Sequence, residues 1–149
     1  MLAGRSRWKA VLAPASLKGV RMLYKALGRG EAIGVLPDQA PRAGEGVWAD
    51  FFGRPAYTMT LLRRLHEKTG APVMMVIARR LPEGRGYRVR FQEIPARSLS
   101  DEAALNQAIE AEVRRCPEQY LWSYYRYKVP RGVEAPPAKA KAESRKAEV

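Results

Sequence analysis

The sequence predicts an α/β fold, and three observations carry that prediction. Short apolar runs alternate with segments of helical period, as when strands and helices share one core. The run Val73-Met74-Met75-Val76-Ile77-Ala78 is apolar at every position, the pattern of a strand covered on both faces. A second run, Ala32-Ile33-Gly34-Val35-Leu36, lies one helix upstream, so strand, helix and strand predict a parallel pair with a right-handed crossover. The expected whole is a mixed sheet with flanking helices. Two or three strands are few for a sheet with a fully buried member, which marks the chain as part of a larger domain.

Ser16 is the expected N-cap of a first helix reaching about Leu27, with Val20, Leu23, Tyr24 and Leu27 on one face and Gly28 and Gly30 as its stop. The strand at 32–36 ends at Pro37. From Asp38 to about Tyr57 the density of Gly, Pro and Arg predicts a long loop, a length that usually serves function. Thr58 or Thr60 opens the next helix, whose Leu61, Leu62 and Leu65 make a core stripe, closed by Gly70 and Pro72. After the strand at 73–78, Pro82 to Gly86 form a turn. Tyr87, Val89 and Phe91 then alternate with Arg88, Arg90 and Gln92, as in a half-exposed antiparallel strand. Ser100 or Asp101 caps a helix carrying Leu105, Ile109, Val113 and Cys116, and Pro117 suits the first turn of a last helix, Glu118 to about Tyr127. From Pro130 onward the chain lacks apolar periodicity, so 130–149 is expected to be a disordered tail behind a unit at 1–129.

With 27 Lys and Arg against 15 Asp and Glu, the net charge of +12 calls for an anionic partner: nucleic acid, an anionic membrane surface or a phosphorylated substrate. The single Cys116 excludes an internal disulfide framework, points to a reducing compartment, and reads as a small core residue rather than a nucleophile. No stretch approaches the roughly 18 apolar residues that span a bilayer. Pro14, Ser16 and Lys18 interrupt the weak apolar segment near the start, so no signal peptide is expected.

The candidate chemistry lies at Gly34-Val35-Leu36-Pro37-Asp38-Gln39, where a carboxylate and an amide follow the C-terminal end of a predicted strand, the edge at which open sheets bind ligands. Arg42, Trp48, Phe51, Phe52 and Arg54 follow in the loop. A guanidinium grips phosphate with two prongs, and aromatics border apolar channels. On spacing alone the simpler account is that Asp38 caps a turn and Phe51 and Phe52 fill the core.

The run Gly30-Glu31-Ala32-Ile33-Gly34-Val35-Leu36-Pro37-Asp38-Gln39, followed by Phe51-Phe52-Gly53-Arg54-Pro55-Ala56, resembles the bacterial lipid A biosynthesis acyltransferase family. Thr69-Gly70-Ala71-Pro72-Val73, Arg79-Arg80 and the closing Pro117-Glu118-Gln119-Tyr120-Leu121-Trp122 are similar to further stretches of that family, in the same order. The resemblance covers about Gly19 to Lys128 and is to the C-terminal part of the acyltransferase domain. It implies a partial glycerolipid-acyltransferase-like fold that transfers a fatty acyl chain from acyl carrier protein to a hydroxyl of a lipid A precursor, at the cytoplasmic face of the inner membrane, with no metal and no other cofactor. By the same resemblance Asp38 and Gln39 help form the acceptor site, Arg79 or Arg21 contacts phosphate or headgroup, and Phe51 and Phe52 support the site loop.

The family's His-x4-Asp or His-x4-Glu motif, whose His is the general base, has no counterpart here. The only histidine is His66, and the residue five positions on is Ala71. His66 adjoins the Leu62 and Leu65 stripe, as a histidine at the edge of a core does. No catalytic residue is therefore assigned within this chain.

Arg5, Arg7, Lys9, Lys18, Arg21, Lys25 and Arg29 all precede the first acid, Glu31. Some fit a solvated helix face; beside Trp8 they also suit anionic headgroups, at about 1 kcal/mol per charge. The alternative is a non-catalytic basic module binding anionic lipid or nucleic acid. Arg85-Gly86-Tyr87-Arg88-Val89-Arg90-Phe91 partly resembles an RNA-recognition strand, but Arg88 stands where a small residue belongs, so no nucleic-acid partner is expected.

Overall fold

A computed structural model describes residues 10–136. Helix α1 spans Leu17–Gly28, with the Ser16 side chain accepting from the Gly19 N–H at 3.4 Å. Strands β1 (Gly46–Phe51) and β2 (Arg54–Met59) form a hairpin. Helix α2 (Leu61–Thr69) ends on Gly70 in the left-handed conformation, at φ 67°. Strands β3 (Met74–Arg80) and β4 (Tyr87–Glu93) form a second hairpin, and helix α3 (Glu102–Arg115) starts on Asp101, whose carboxylate accepts from the Ala104 N–H at 2.7 Å.

The α/β class holds: helices pack with strands, and the strands make small antiparallel sheets, as in part of a domain. Five expectations are corrected, three of them about the strand pairing. The run Ala32 to Leu36 forms no strand and pairs with nothing in a ladder, so the parallel crossover to β3 is absent among the described residues. The neighbour β3 takes is β4, joined by a short turn whose closure costs little entropy. Nor is β3 covered on both faces: Met75 and Ile77 are half-buried, while Met74, Val76 and Ala78 are exposed.

The expected loop from Asp38 to Tyr57 contains the β1–β2 hairpin. Its two-residue turn is Phe52-Gly53, with φ 47° and 73°, the positive values that a primed turn requires. Phe51 and Arg54 flank the turn and form its hydrogen-bonded pair, so the next pair, Asp50 with Pro55, is non-hydrogen-bonded. Pro55 therefore sits in a strand without removing a ladder bond.

The last predicted helix is a single 3-10 turn at Pro117–Gln119. Beyond it Trp122 N–H donates to Tyr120 O and Arg126 N–H to Tyr124 O, contacts between residues two apart that wind too tightly to continue a helix. Within the tail, the Trp48 indole donates to Glu134 O at 3.1 Å. Residues 137–149 of the expected disordered segment, and the basic flank of Arg5, Arg7, Trp8 and Lys9, lie outside the described residues.

The core joins α3 to the first hairpin: Phe51, Ala56, Leu99, Leu105, Ile109 and Val113 form one buried cluster. Beside it Asn106, 0% exposed, donates from Nδ2 to Asp50 O and Thr58 Oγ1, each at 2.9 Å. Arg126, 3% exposed, donates to Tyr57 O at 2.8 Å and Thr58 Oγ1 at 2.9 Å. Thr58 Oγ1 donates to Ala56 O and accepts both bonds, which uses its full hydroxyl capacity.

Candidate functional site: a cleft beside the Pro37-Asp38-Gln39 turn

A cleft of about 630 Å³ lies beside this core. Its apolar lining comes from distant segments: Ile33 and Val35, Leu62 and Leu65 of α2, Met75 and Ile77 of β3, and Ile109 and Val113 of α3. Amphipathic spacing explains the convergence, because the stripes of α2 and α3 that build the core also turn a flank into the cleft. Polar groups are few on this surface, among them Asp38, Arg79, His66, Glu112 and Gln119. A mainly apolar concavity with a few convergent polar groups is the usual form of a small-molecule site.

Asp38 stands in the turn at residues 37–39 and lines the cleft. The turn is pinned from across the chain: the Ala40 N–H donates to the Tyr124 hydroxyl at 3.0 Å, and Arg42 Nη1 donates to Ala15 O at 3.2 Å. Tyr120 also lines the cleft, and burial first, then the nearby Asp38 carboxylate, holds its hydroxyl above the ordinary value of 10.0. Burial pushes the Arg126 guanidinium down, while Tyr120, Tyr124 and Asp38 act in the opposite direction. Asp38, Tyr120, Tyr124 and Arg126 thus form one electrostatic neighbourhood.

Arg79 lines the same cleft from β3. Glu118 nearby is held below its ordinary value of 4.5, mainly because the Cys116 thiol donates to it at 2.8 Å and to a lesser degree through Arg79. Gln39 is exposed and does not line the cleft. Arg21 is exposed on α1 and likewise outside the lining. Phe51 is 1% exposed and central to the core, as the simpler reading of the sequence had it. Phe52 packs edge-on against Phe51, and its strained backbone is held by an N–H bond to Glu110 Oε1 at 2.7 Å. The structure therefore brings Asp38 and Arg79 to one cleft and leaves Gln39, Arg21, Phe51 and Phe52 off its lining.

His66 is half-buried at the end of α2, with Nδ1 bonded to Ala71 O at 2.9 Å. Cys116 is buried, as expected of a core residue. Among the described residues no group of three or more His, Cys, Asp or Glu is arranged to hold a metal, and no helix is long and apolar enough to cross a membrane.

Residues 1–129 match the sequence profile of the family described as bacterial lipid A biosynthesis acyltransferase. The chain belongs to that family. Within it, the Escherichia coli lipid A biosynthesis lauroyltransferase is 30% identical over 132 residues, covering 84% of this chain and 42% of the relative. The E. coli palmitoleoyltransferase is 31% identical over 132 residues, with 83% and 42% covered. A lipid A biosynthesis acyltransferase of Haemophilus influenzae is 31% identical over 109 residues, with 70% and 34% covered. This acyltransferase-family chain thus spans less than half the length of these relatives.

The residues that sequence reasoning missed are Tyr124, which holds the Asp38 turn, and Tyr120 and Arg126, which share its electrostatic neighbourhood. One signal was present, the crowding of Tyr120, Tyr124, Tyr125 and Tyr127 around Arg126 in a stretch otherwise read as an ordinary helix.

Proposed function

We propose that the chain is the acceptor-side portion of an O-acyltransferase of lipid A biosynthesis. In the full reaction, a hydroxyl oxygen of a lipid A precursor attacks the thioester carbonyl of an acyl chain on acyl carrier protein. The new C–O bond forms as C–S breaks, and the hydroxyl proton ends on the carrier thiol. The observation that carries this reading is the family match over residues 1–129, with Asp38 of the Pro37-Asp38-Gln39 turn on the lining of an apolar cleft that also holds Arg79.

In this reading Asp38 and Gln39 build the acceptor site, Asp38 accepting hydrogen bonds from the sugar, and Arg79 binds anionic groups of the substrate. Arg21 is a second cation for headgroups, and Phe51 and Phe52 support the site loop from the neighbouring core. The protein acts at the cytoplasmic face of the inner membrane as a peripheral component with affinity for an anionic surface, needs no metal or other cofactor, and takes no nucleic acid. The general base is not supplied by this chain, because His66 has no carboxylate as an orienting partner among the described residues.

The test is a chimera in which this chain replaces the matched part of the E. coli lauroyltransferase, assayed for lauroyl transfer from acyl carrier protein. The chimera should turn over, whereas the purified 149-residue chain should show negligible transfer. Asp38→Ala in the chimera should lower kcat/KM by about a hundredfold, the usual effect of misplacing one reactant, with little change in thermal midpoint. A well-folded chimera that transfers no acyl chain, or an Asp38→Ala variant with full turnover, would refute the assignment.

A further inference from the structure

Strand β3 has two edges, and the register tells them apart. The closing bond Leu81 N–H to Gly86 O and the bond Ile94 N–H to Val73 O mark the hydrogen-bonded pairs with β4 as residues 73, 75, 77, 79 and 81. The N–H and C=O groups of Met74, Val76, Ala78 and Arg80 therefore point away from β4.

At Arg80 both groups are taken by one side chain. Gln119 Oε1 accepts from Arg80 N–H at 2.7 Å, and Gln119 Nε2 donates to Arg80 O at 3.1 Å. The amide does there what a residue of an adjoining strand would do. Along Met74, Val76 and Ala78 no third strand joins the sheet among the described residues, and the edge opens on the same cleft as Ile33, Gly34 and Val35. The same residues share a bare apolar face with β4. Val76 is 57% exposed and its partner Phe91 66%, with Met74, Val89 and Tyr87 also exposed. A two-stranded hairpin with one face in water is marginal by itself, and a third strand or an apolar cover is what makes such a sheet stable.

We propose that the free edge of β3 and its Val76–Phe91 face receive an extended, apolar segment from the part of an acyltransferase chain that lies outside the match, in the same polypeptide or in a second one. The proposal rests on the family assignment and on the reading of this chain as one portion of the enzyme. Four observations favour protein over lipid as the occupant. Hydrocarbon cannot pair the outward N–H and C=O groups, and a strand can. Gln119 already fills one strand position on that edge. The match covers 42% of the E. coli lauroyltransferase, which leaves more chain outside it than inside. Arg79, Arg88 and Arg90 lie on the opposite face of the sheet with Ile77, and the bare face carries Arg80 at one end and Glu93 at the other, so it lacks the dense cationic rim of an anionic-membrane surface.

The experiment co-expresses the tagged 149-residue chain with the part of the E. coli lauroyltransferase outside the matched region, and measures co-purification and amide hydrogen exchange. The two should co-purify, and the Met74, Val76 and Ala78 amides should exchange about a hundredfold more slowly than in the free chain. Val76→Asp and Phe91→Asp, both at exposed positions, should each abolish co-purification while leaving the thermal midpoint of the free chain unchanged. Four results would overturn the proposal: no co-purification; a complex in which those amides exchange as in the free chain; equal protection in the free chain, meaning that its own Ile33–Val35 segment covers the edge; or equal protection by phosphatidylglycerol vesicles alone. Acyl transfer is assayed on the same complex. Docking without transfer keeps this interface and removes the activity proposed above; transfer by a complex with unprotected amides does the reverse.

Discussion

The two hairpins of this molecule have the same topology and opposite fates. β1–β2 is closed by α3 and by Arg126, so that Phe51 is 1% exposed and Asn106 fully buried. β3–β4 keeps one half-buried face and turns the other to water, with Phe91 66% exposed. The first hairpin is also the richer in aromatics, with Trp48, Phe51, Phe52 and Tyr57 against Tyr87 and Phe91. A further difference is where the polar pins lie: those of the first hairpin are set into the core, such as Asn106 to Asp50 O and Tyr127 hydroxyl to Phe51 O at 2.9 Å, whereas Gln119 holds the second hairpin at the exposed Arg80. A buried backbone needs those bonds, and once made they fix one arrangement.

Matched truncations should expose this contrast most strongly. Phe51→Ala should cost about 3–5 kcal/mol of unfolding free energy and Phe91→Ala no more than about 0.5 kcal/mol, measured by urea titration of the 149-residue chain. Equal losses would mean that the second sheet is covered in solution. Asn106→Ala should cost about 2 kcal/mol, because it strips partners from Thr58, Asp50 O and Arg126 inside a buried network. A loss within error would show that water replaces the amide. Asp101→Ala, which removes the α3 cap, should lower stability by about 1 kcal/mol in the same titration.

The smallest effect expected is a pH dependence. Tyr120 is held above its ordinary value of 10.0, chiefly by burial. A raised folded-state value favours the neutral phenol, so its contribution is complete below pH 10 and is lost as pH climbs through the folded value. The thermal midpoint of the wild type should therefore fall above pH 10, and Tyr120→Phe should flatten that fall. An unchanged alkaline slope would assign it to other groups.

What could be read from the sequence followed local chemistry. Ser16, Gly70 and Asp101 marked helix ends because caps act within one turn, and the alternation of Tyr87 to Phe91 marked β4. The first hairpin was hidden because its turn is Phe-Gly rather than Asn-Gly or Asp-Gly, and because Pro55 reads as a strand breaker until its register is known. The run 32–36 has a strand's composition, but a ladder depends on a neighbour, and composition does not name one. At the site, Asp38 was legible because it follows an apolar run. Its supports were not, since Ala40 and Tyr124 are 84 positions apart.

The turn at Phe52-Gly53 bears on the order in which the chain folds. A bulky residue at φ 47° disfavours the turn in an isolated hairpin, and the contacts that offset this come from elsewhere: Glu110 on the Phe52 N–H, Arg114 over its ring and Trp122 beside it. Helix α3 is built from local bonds and capped at Asp101, whereas the Phe52 turn draws its compensating contacts from α3 and Trp122. The expected order is therefore α3 first and the Phe52 turn late, so that substitutions in the turn should speed unfolding and leave the folding rate nearly untouched, as chevron measurements would check.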